Sequence, residues 1–264
     1  MCVAGRPHGA RPGAALFWGT GLLAAALLAY EVALYRLLAV AQFHHLAFMV
    51  ISLAMLGSGA SGTLLATFPR LGLWRPRATM AWFALGAGVL MPFGWALTSW
   101  IPFDAYTIWD PRQVAILALH YGVLSLPFFA GGTALSLLFR RYPRAIAASY
   151  GANMVGSAAG CLLALLAPGL VGAEGVLLLC TVGAAAAAVC YAPRGVGLGR
   201  WQRVAALLLA VGAAFGLGRP PAALQVRLSP YKGLSYAIQA PGSRVLATRW
   251  NAIARLDLVA SPSL

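Results

Sequence analysis

The chain has 264 residues, of which 61% are hydrophobic and only 9% charged, with a mean hydropathy of +0.81. That excludes a soluble globular domain, in which roughly a quarter of the residues carry charge. The formal net charge of +14 would point to nucleic acid in a soluble protein, but here the basic residues lie between apolar runs, so they mark membrane topology and not a nucleic-acid partner.

Seven apolar segments follow one another, at about 14–40, 45–68, 78–101, 113–139, 145–166, 176–192 and 204–218. About 20 apolar residues are needed to cross the hydrocarbon core, so the seventh is the shortest fit. Arg6 and Arg11 before the first run resemble a signal peptide, but the run is too long for one and reads as a retained anchor. Of the four cysteines, Cys161, Cys180 and Cys190 lie in apolar runs and Cys2 near the start. None shows metal or CxxC spacing, which points to packing.

The connections alternate in charge. Arg70, Arg75 and Arg77, then Arg140, Arg141 and Arg144, then Arg194, Arg200 and Arg203 share one side with Arg6 and Arg11. The opposite short connections hold Arg112 alone. The positive-inside rule therefore puts the N-terminus in the cytoplasm, and seven crossings would send the tail outside. From position 219 the composition changes. Pro220-Pro221 interrupts any helix, and β-branched or alternating runs at 244–248 and 254–259 are punctuated by Pro241-Gly242 and Trp250-Asn251. The expected architecture is an all-α polytopic membrane helix bundle of about seven transmembrane helices over 1–218, with a short β-rich tail over 219–264. The tail reads as the truncated start of a soluble domain, since a stable sheet needs three or more strands.

Three groups of residues stand out. Glu31 and Arg36 sit inside the first segment, about 140° apart around a helix, so they cannot pair directly, whereas Tyr35 shares the Glu31 face. Charges within a membrane face protein or water, which leaves two readings: a substrate or proton site, or polar ties to neighbouring helices, with Arg36 snorkelling outward. Ser149, Asn153, Gly156 and Gly160 share one face of the fifth segment, where the Gly-x-x-x-Gly spacing allows close helix contact. Gly57, Gly59, Gly62, Gly131 and Gly132 are expected to act likewise. Asp104 and Asp110, in the loop 102–112, read as turn and cap residues in preference to a cation site, Asp110-Pro111 starting the next helix. His44, His45 and His120 read as interface or packing residues, because a metal needs three or four converging ligands. There is no GxGxxG after a strand and no GxxxxGK[ST] loop, so this stretch offers no cofactor site and no catalytic machinery of its own.

These motifs, in this order, resemble the membrane-anchored spermidine synthase-like proteins of bacteria. The resemblance rests on Tyr30-Glu31 with Arg36-Leu37-Leu38, on Pro102-Phe103-Asp104 through Trp109-Asp110-Pro111-Arg112-Gln113, and on Pro127-Phe128-Phe129-Ala130-Gly131. It continues through Tyr150, Asn153, Gly156 and Gly160, Ser229-Pro230-Tyr231-Lys232, Arg249-Trp250-Asn251 and Arg255-Leu256-Asp257. Asn153 stands where an aspartate is expected in many relatives. The resemblance implies a bacterial inner-membrane module that anchors, and serves, a C-terminal aminopropyltransferase-like domain with an S-adenosylmethionine-type ligand. The residues of that domain would lie beyond Leu264, so no catalytic residue is carried over. A small-molecule transporter with Glu31 at its site, and a purely structural anchor, are the alternatives. The sequence does not set an oligomeric state.

Overall fold

A computed structural model describes residues 13–42, 44–195, 197–218, 220–239, 241–252 and 254–261. Cys2, Arg6, Arg11 and the side chains of His44 and His45 lie outside what is described. The helices are α1 (Ala14–Ala41), α2 (His44–Thr67), α3 (Pro76–Trp100), α4 (Pro111–Arg141), α5 (Ile146–Leu166), α6 (Pro168–Tyr191), α7 (Leu198–Gly218) and α8 (Gly233–Gln239). An antiparallel hairpin of β1 (Arg244–Trp250) and β2 (Arg255–Ala260) follows. Among the described residues, α1 through α7 are long and apolar enough to cross a membrane.

α1 and α6 form the centre. α1 packs on α5 and α6, α6 also on α3 and α7, and α4 joins α2 to α3. Small residues set the closest approaches. A Cβ added at Gly156 would fall on the backbone of Gly21, and one at Gly160 on that of Ala25, so α5 and α1 touch backbone to backbone. Ser149 is buried on the same face, while Asn153 is half-buried. Gly57 meets the Ser125 carbonyl and Phe128 of α4 in the same way, Gly131 lies against Leu27, and Gly132 against Ser61. Gly59 and Gly62 differ from expectation: they are exposed, with open space where a side chain would be, so they take no part in helix contact. Trp18, Trp74 and Trp201 near one end, and Trp100, Tyr106 and Trp109 near the other, are exposed as aromatic belts at membrane interfaces are.

Two spans are longer than the apolar runs that announced them. α6 begins at Pro168, well before position 176, because it contains a break at Gly172 (φ 72°, ψ 167°). That backbone region is essentially open to glycine alone. α7 begins at Leu198, before position 204; its first turns carry Arg200, Gln202 and Arg203, which depress hydropathy, and the last two are put to use. Arg203 donates to the Gly195 and Gly199 carbonyls, and buried Gln202 donates to the Ala78 carbonyl at 2.8 Å.

The arginine-bearing connections sit together at one end and close helix termini there. Arg77 donates to the carbonyls of Cys190 (3.1 Å) and Tyr191 (3.2 Å) in the last turn of α6. Arg140 donates to those of Leu65, Pro69 and Leu71 at the end of α2. The last carbonyls of a helix have no partner inside it, and a cation there also meets the negative end of the helix dipole.

Candidate functional site

The opposite end is closed by the tail. Ser229 N–H donates to the Ala41 carbonyl at 2.7 Å and the Lys232 ammonium to that of Ala39 at 2.9 Å, so the tail caps the C-terminus of α1. Trp95, buried in α3, donates its indole N–H to Leu224 at 2.9 Å. Arg227 lies 5.3 Å above the ring of Trp100. Tyr231 donates its hydroxyl to Asp104 at 3.2 Å and packs against Tyr106, with 4.4 Å between ring centroids. That hydrogen bond, with the nearby carboxylate charge, pushes the Tyr231 phenol above its ordinary range.

The residues singled out on α1 separate in space. Arg36 does reach outward: one terminal nitrogen donates to the Ala252 carbonyl at the tip of the hairpin, while its other, Nη1, is buried without a partner among the described residues. Trp250 packs over the break at Gly172, so the hairpin rests on α1 and on the α5–α6 corner together. Glu31 is half-buried and has no hydrogen-bond or ion-pair partner among the described residues. Leu27, one turn before it, lies against Gly131, one turn after Pro127, which puts Glu31 level with the proline of antiparallel α4. Tyr35 is turned to α2, its ring 6.1 Å from that of Phe48.

The loop carboxylates are occupied locally. Asp104 Oδ1 accepts from the Tyr106 N–H, and Asp110 caps α4 by accepting from the Arg112 N–H, both at 2.9 Å. In the hairpin, Asp257 accepts from Thr248 at 2.6 Å and pairs with Arg255 at 2.9 Å, while Asn251 closes the turn by accepting from Ala254. The tail motifs on which the family resemblance rests are thus also the residues that hold this hairpin together.

Beneath the tail, between the ends of α1, α3 and α4, lies a cavity of about 240 Å³. Its wall is aromatic and aliphatic, with Trp95, Trp100, Phe103, Leu117 and Leu124 among its residues, and the segment 227–230 forms its lid. Three residues of its wall, Gln42, Ser99 and His120, each carry a buried side-chain atom (Oε1, Oγ and Nε2) with no partner among the described residues. The His120 ring stands edge-on to Phe103, with centroids 6.3 Å apart. Native interiors pair nearly all such groups, so three orphans around one cavity are unusual. The sequence offered His120 only as a packing residue, and Gln42 and Ser99 carried no signal, since they come from separate helix ends. Comparison with protein-family models, curated proteins and solved structures finds no match for the chain.

Proposed function

We propose that the chain is the membrane module of a spermidine synthase-like protein, anchoring a C-terminal domain and holding it at a fixed angle to the bilayer. The observation that carries this reading is the docking of the tail. Four contacts, from Arg36, Trp95, Ser229 and Lys232, tie residues 224–252 to the bundle, where a flexible tether would make none. The hairpin supports it further. A two-stranded ribbon is marginal alone, and this one exposes Val245, Leu246, Leu256 and Leu258, a surface suited to further strands. The order of motifs along the chain supplies the family.

The tail and the arginine-rich connections lie at opposite ends. With the positive-inside rule, the N-terminus is cytoplasmic and the anchored domain extracytoplasmic. An S-adenosylmethionine-type ligand belongs to the cytoplasm, so orientation and ligand are tested together. Single cysteines at positions 106 and 75 are labelled in intact cells with an impermeant reagent. Labelling at 106 alone supports the orientation and assigns the domain a ligand other than cytoplasmic S-adenosylmethionine. Labelling at 75 alone reverses it. The anchor reading is tested by antibody to the tail against the native gene product: a species well above 27.5 kDa is expected, and one of 27.5 kDa overturns it.

A further inference from the structure

We propose that the outer face of α7 is a binding site for an anionic phospholipid, with the phosphate at Arg200 and Arg203 and an acyl chain along the helix below them. This does not depend on the reading of the chain as a domain anchor. The site begins as an open cleft of about 300 Å³ at the arginine end, lined by Gly195, Arg200, Arg203, Val204 and Leu207. Arg203 is held in place there: its Nε donates to the Gly199 carbonyl at 3.0 Å and its Nη2 to that of Gly195 at 2.9 Å. Its Nη1 is left at the surface without a partner among the described residues. Arg200 is exposed, and its side chain has no partner among the described residues either. Residues three apart are neighbours on a helix, so one acceptor group can take N–H donors from both guanidiniums, which suit phosphate oxygens.

Charge selects an anion. All five carboxylates of the chain, Glu31, Asp104, Asp110, Glu174 and Asp257, lie in the tail half, so none neutralises the arginines at this end. Depth then selects a lipid. Trp201, exposed beside Arg200, marks the level of the membrane interface. Below it α7 packs on α6 and α3, and its outer side carries Val204, Leu207, Val211 and Phe215, all exposed and at helical spacing beneath the two arginines. From Val204 to Phe215 is about 16 Å at 1.5 Å per residue, close to the roughly 15 Å that one leaflet takes of the hydrocarbon core. An acyl chain hung from a phosphate at Arg203 therefore has apolar side chains beside it over the depth of its leaflet. A free phosphate or an acidic peptide would use the guanidiniums and leave this stripe uncovered.

Binding is read by native mass spectrometry of the full chain in mixed micelles, titrated with dioleoyl phosphatidylglycerol or dioleoyl phosphatidylcholine. Both carry a phosphate and the same acyl chains, but only the first has a net charge. Saturable binding of phosphatidylglycerol is expected, about twentyfold tighter than that of phosphatidylcholine, since each of two basic residues beside an anionic headgroup contributes about fivefold. That lead should shrink as salt rises. Arg200→Gln breaks no hydrogen bond within the protein, so it should leave the melting temperature unchanged and weaken phosphatidylglycerol about fivefold. Arg70→Gln removes another exposed charge at the same end, outside the cleft, and should leave the affinity unchanged. Should Arg200→Gln fail to fold, the salt dependence of the original chain decides. Equal affinity for the two lipids, or a lead that does not respond to salt, overturns the proposal. An equal loss from Arg70→Gln and Arg200→Gln overturns it in favour of diffuse surface charge. Displacement of the lipid by excess inorganic phosphate overturns it in favour of a free-anion site, because a lipid held also along its chain stays in place.

Discussion

The two ends of the bundle solve the same problem differently. Each must satisfy the carbonyls that helices leave unpaired where they stop. At the arginine end, single side chains do it: Arg77 closes α6, Arg140 closes α2, and Gln202 Oε1 is the one buried side-chain atom left without a partner there among the described residues. At the other end a separate stretch of chain does it, through Ser229 and Lys232 on α1, and buried orphans collect at Arg36, Gln42, Ser99 and His120. A terminus closed by a side chain from a neighbouring helix is finished. One closed by a folded-back segment encloses space and keeps unmet polar atoms beside it. The arginine end is thus closed by single side chains, and the tail end by a docked stretch of chain.

The largest effect should come from neither end but from the contact that both depend on. Gly156→Leu or Gly160→Leu drives a side chain into the backbone of α1, where nothing flexible can give way. A cost of about 3 kcal/mol, the upper part of the usual overpacking range, is expected. Thermal denaturation in detergent measures it, and an unchanged melting temperature for both variants would show that α5 does not pack there. Next come the arginines. Arg77→Ala should cost about 1–2 kcal/mol of bundle stability, since two carbonyls in the last turn of α6 lose a charged donor. Arg36→Ala should leave the bundle nearly unchanged and free the hairpin tip instead. Limited proteolysis separates the two: cleavage within 250–255 should quicken at least several-fold for Arg36→Ala and not for Arg77→Ala. The reverse pattern would dissolve the contrast between the ends.

The same contrast explains what could be read from the sequence. The seven spans and the Gly156-x-x-x-Gly160 face were legible because length and helical spacing are local properties. The hairpin was legible from its alternation and turn residues, to within a residue or two at each end of the strands. The starts of α6 and α7 were not, because Gly172 and Glu174 interrupt one run and Arg200, Gln202 and Arg203 the other; hydropathy counts these residues as breaks, whereas Gly172 makes the kink inside α6 and Gln202 and Arg203 bond backbone carbonyls. The short helix α8 lies between turn signals and was missed. The cavity was invisible for a different reason. Gln42, Ser99, His120 and the lid at 227–230 come from four elements and share no spacing. His120 alone was noticed, and without its neighbours it could only be read as packing.

Glu31 supplies the third test. It lacks a partner among the described residues, so Glu31→Gln should fold at least as well as the original, with a melting temperature equal or slightly higher: a half-buried carboxylate without a hydrogen bond is a cost, and the amide removes the charge while keeping the shape. A clear loss of stability would mean that Glu31 is a structural tie. An intact fold with lost activity in the full-length protein would place it on a substrate or proton path, as in the transporter reading.

The smallest effect concerns the outer edge of the docked tail. Tyr231 donates to Asp104, and the bond holds its proton more firmly than solution does, so the phenol titrates above its usual value. The sign follows from linkage. A group whose folded pKa is raised contributes fully while pH stays below the unfolded value of about 10, and the contribution fades as pH rises through the folded value. Docking of residues 229–239 should therefore be insensitive to pH from 7 to 9 and loosen above about 10. Because Tyr231 is solvent-exposed, screening keeps the effect small. Tyr231→Phe retains the ring contact with Tyr106 but has no hydroxyl to donate or ionise. It should be cleaved in 229–239 slightly faster than the original at pH 8, with the difference gone at high pH. If the original and Tyr231→Phe are cleaved equally at pH 8, this hydrogen bond does not hold the tail, and docking rests on the contacts of Arg36, Trp95, Ser229 and Lys232.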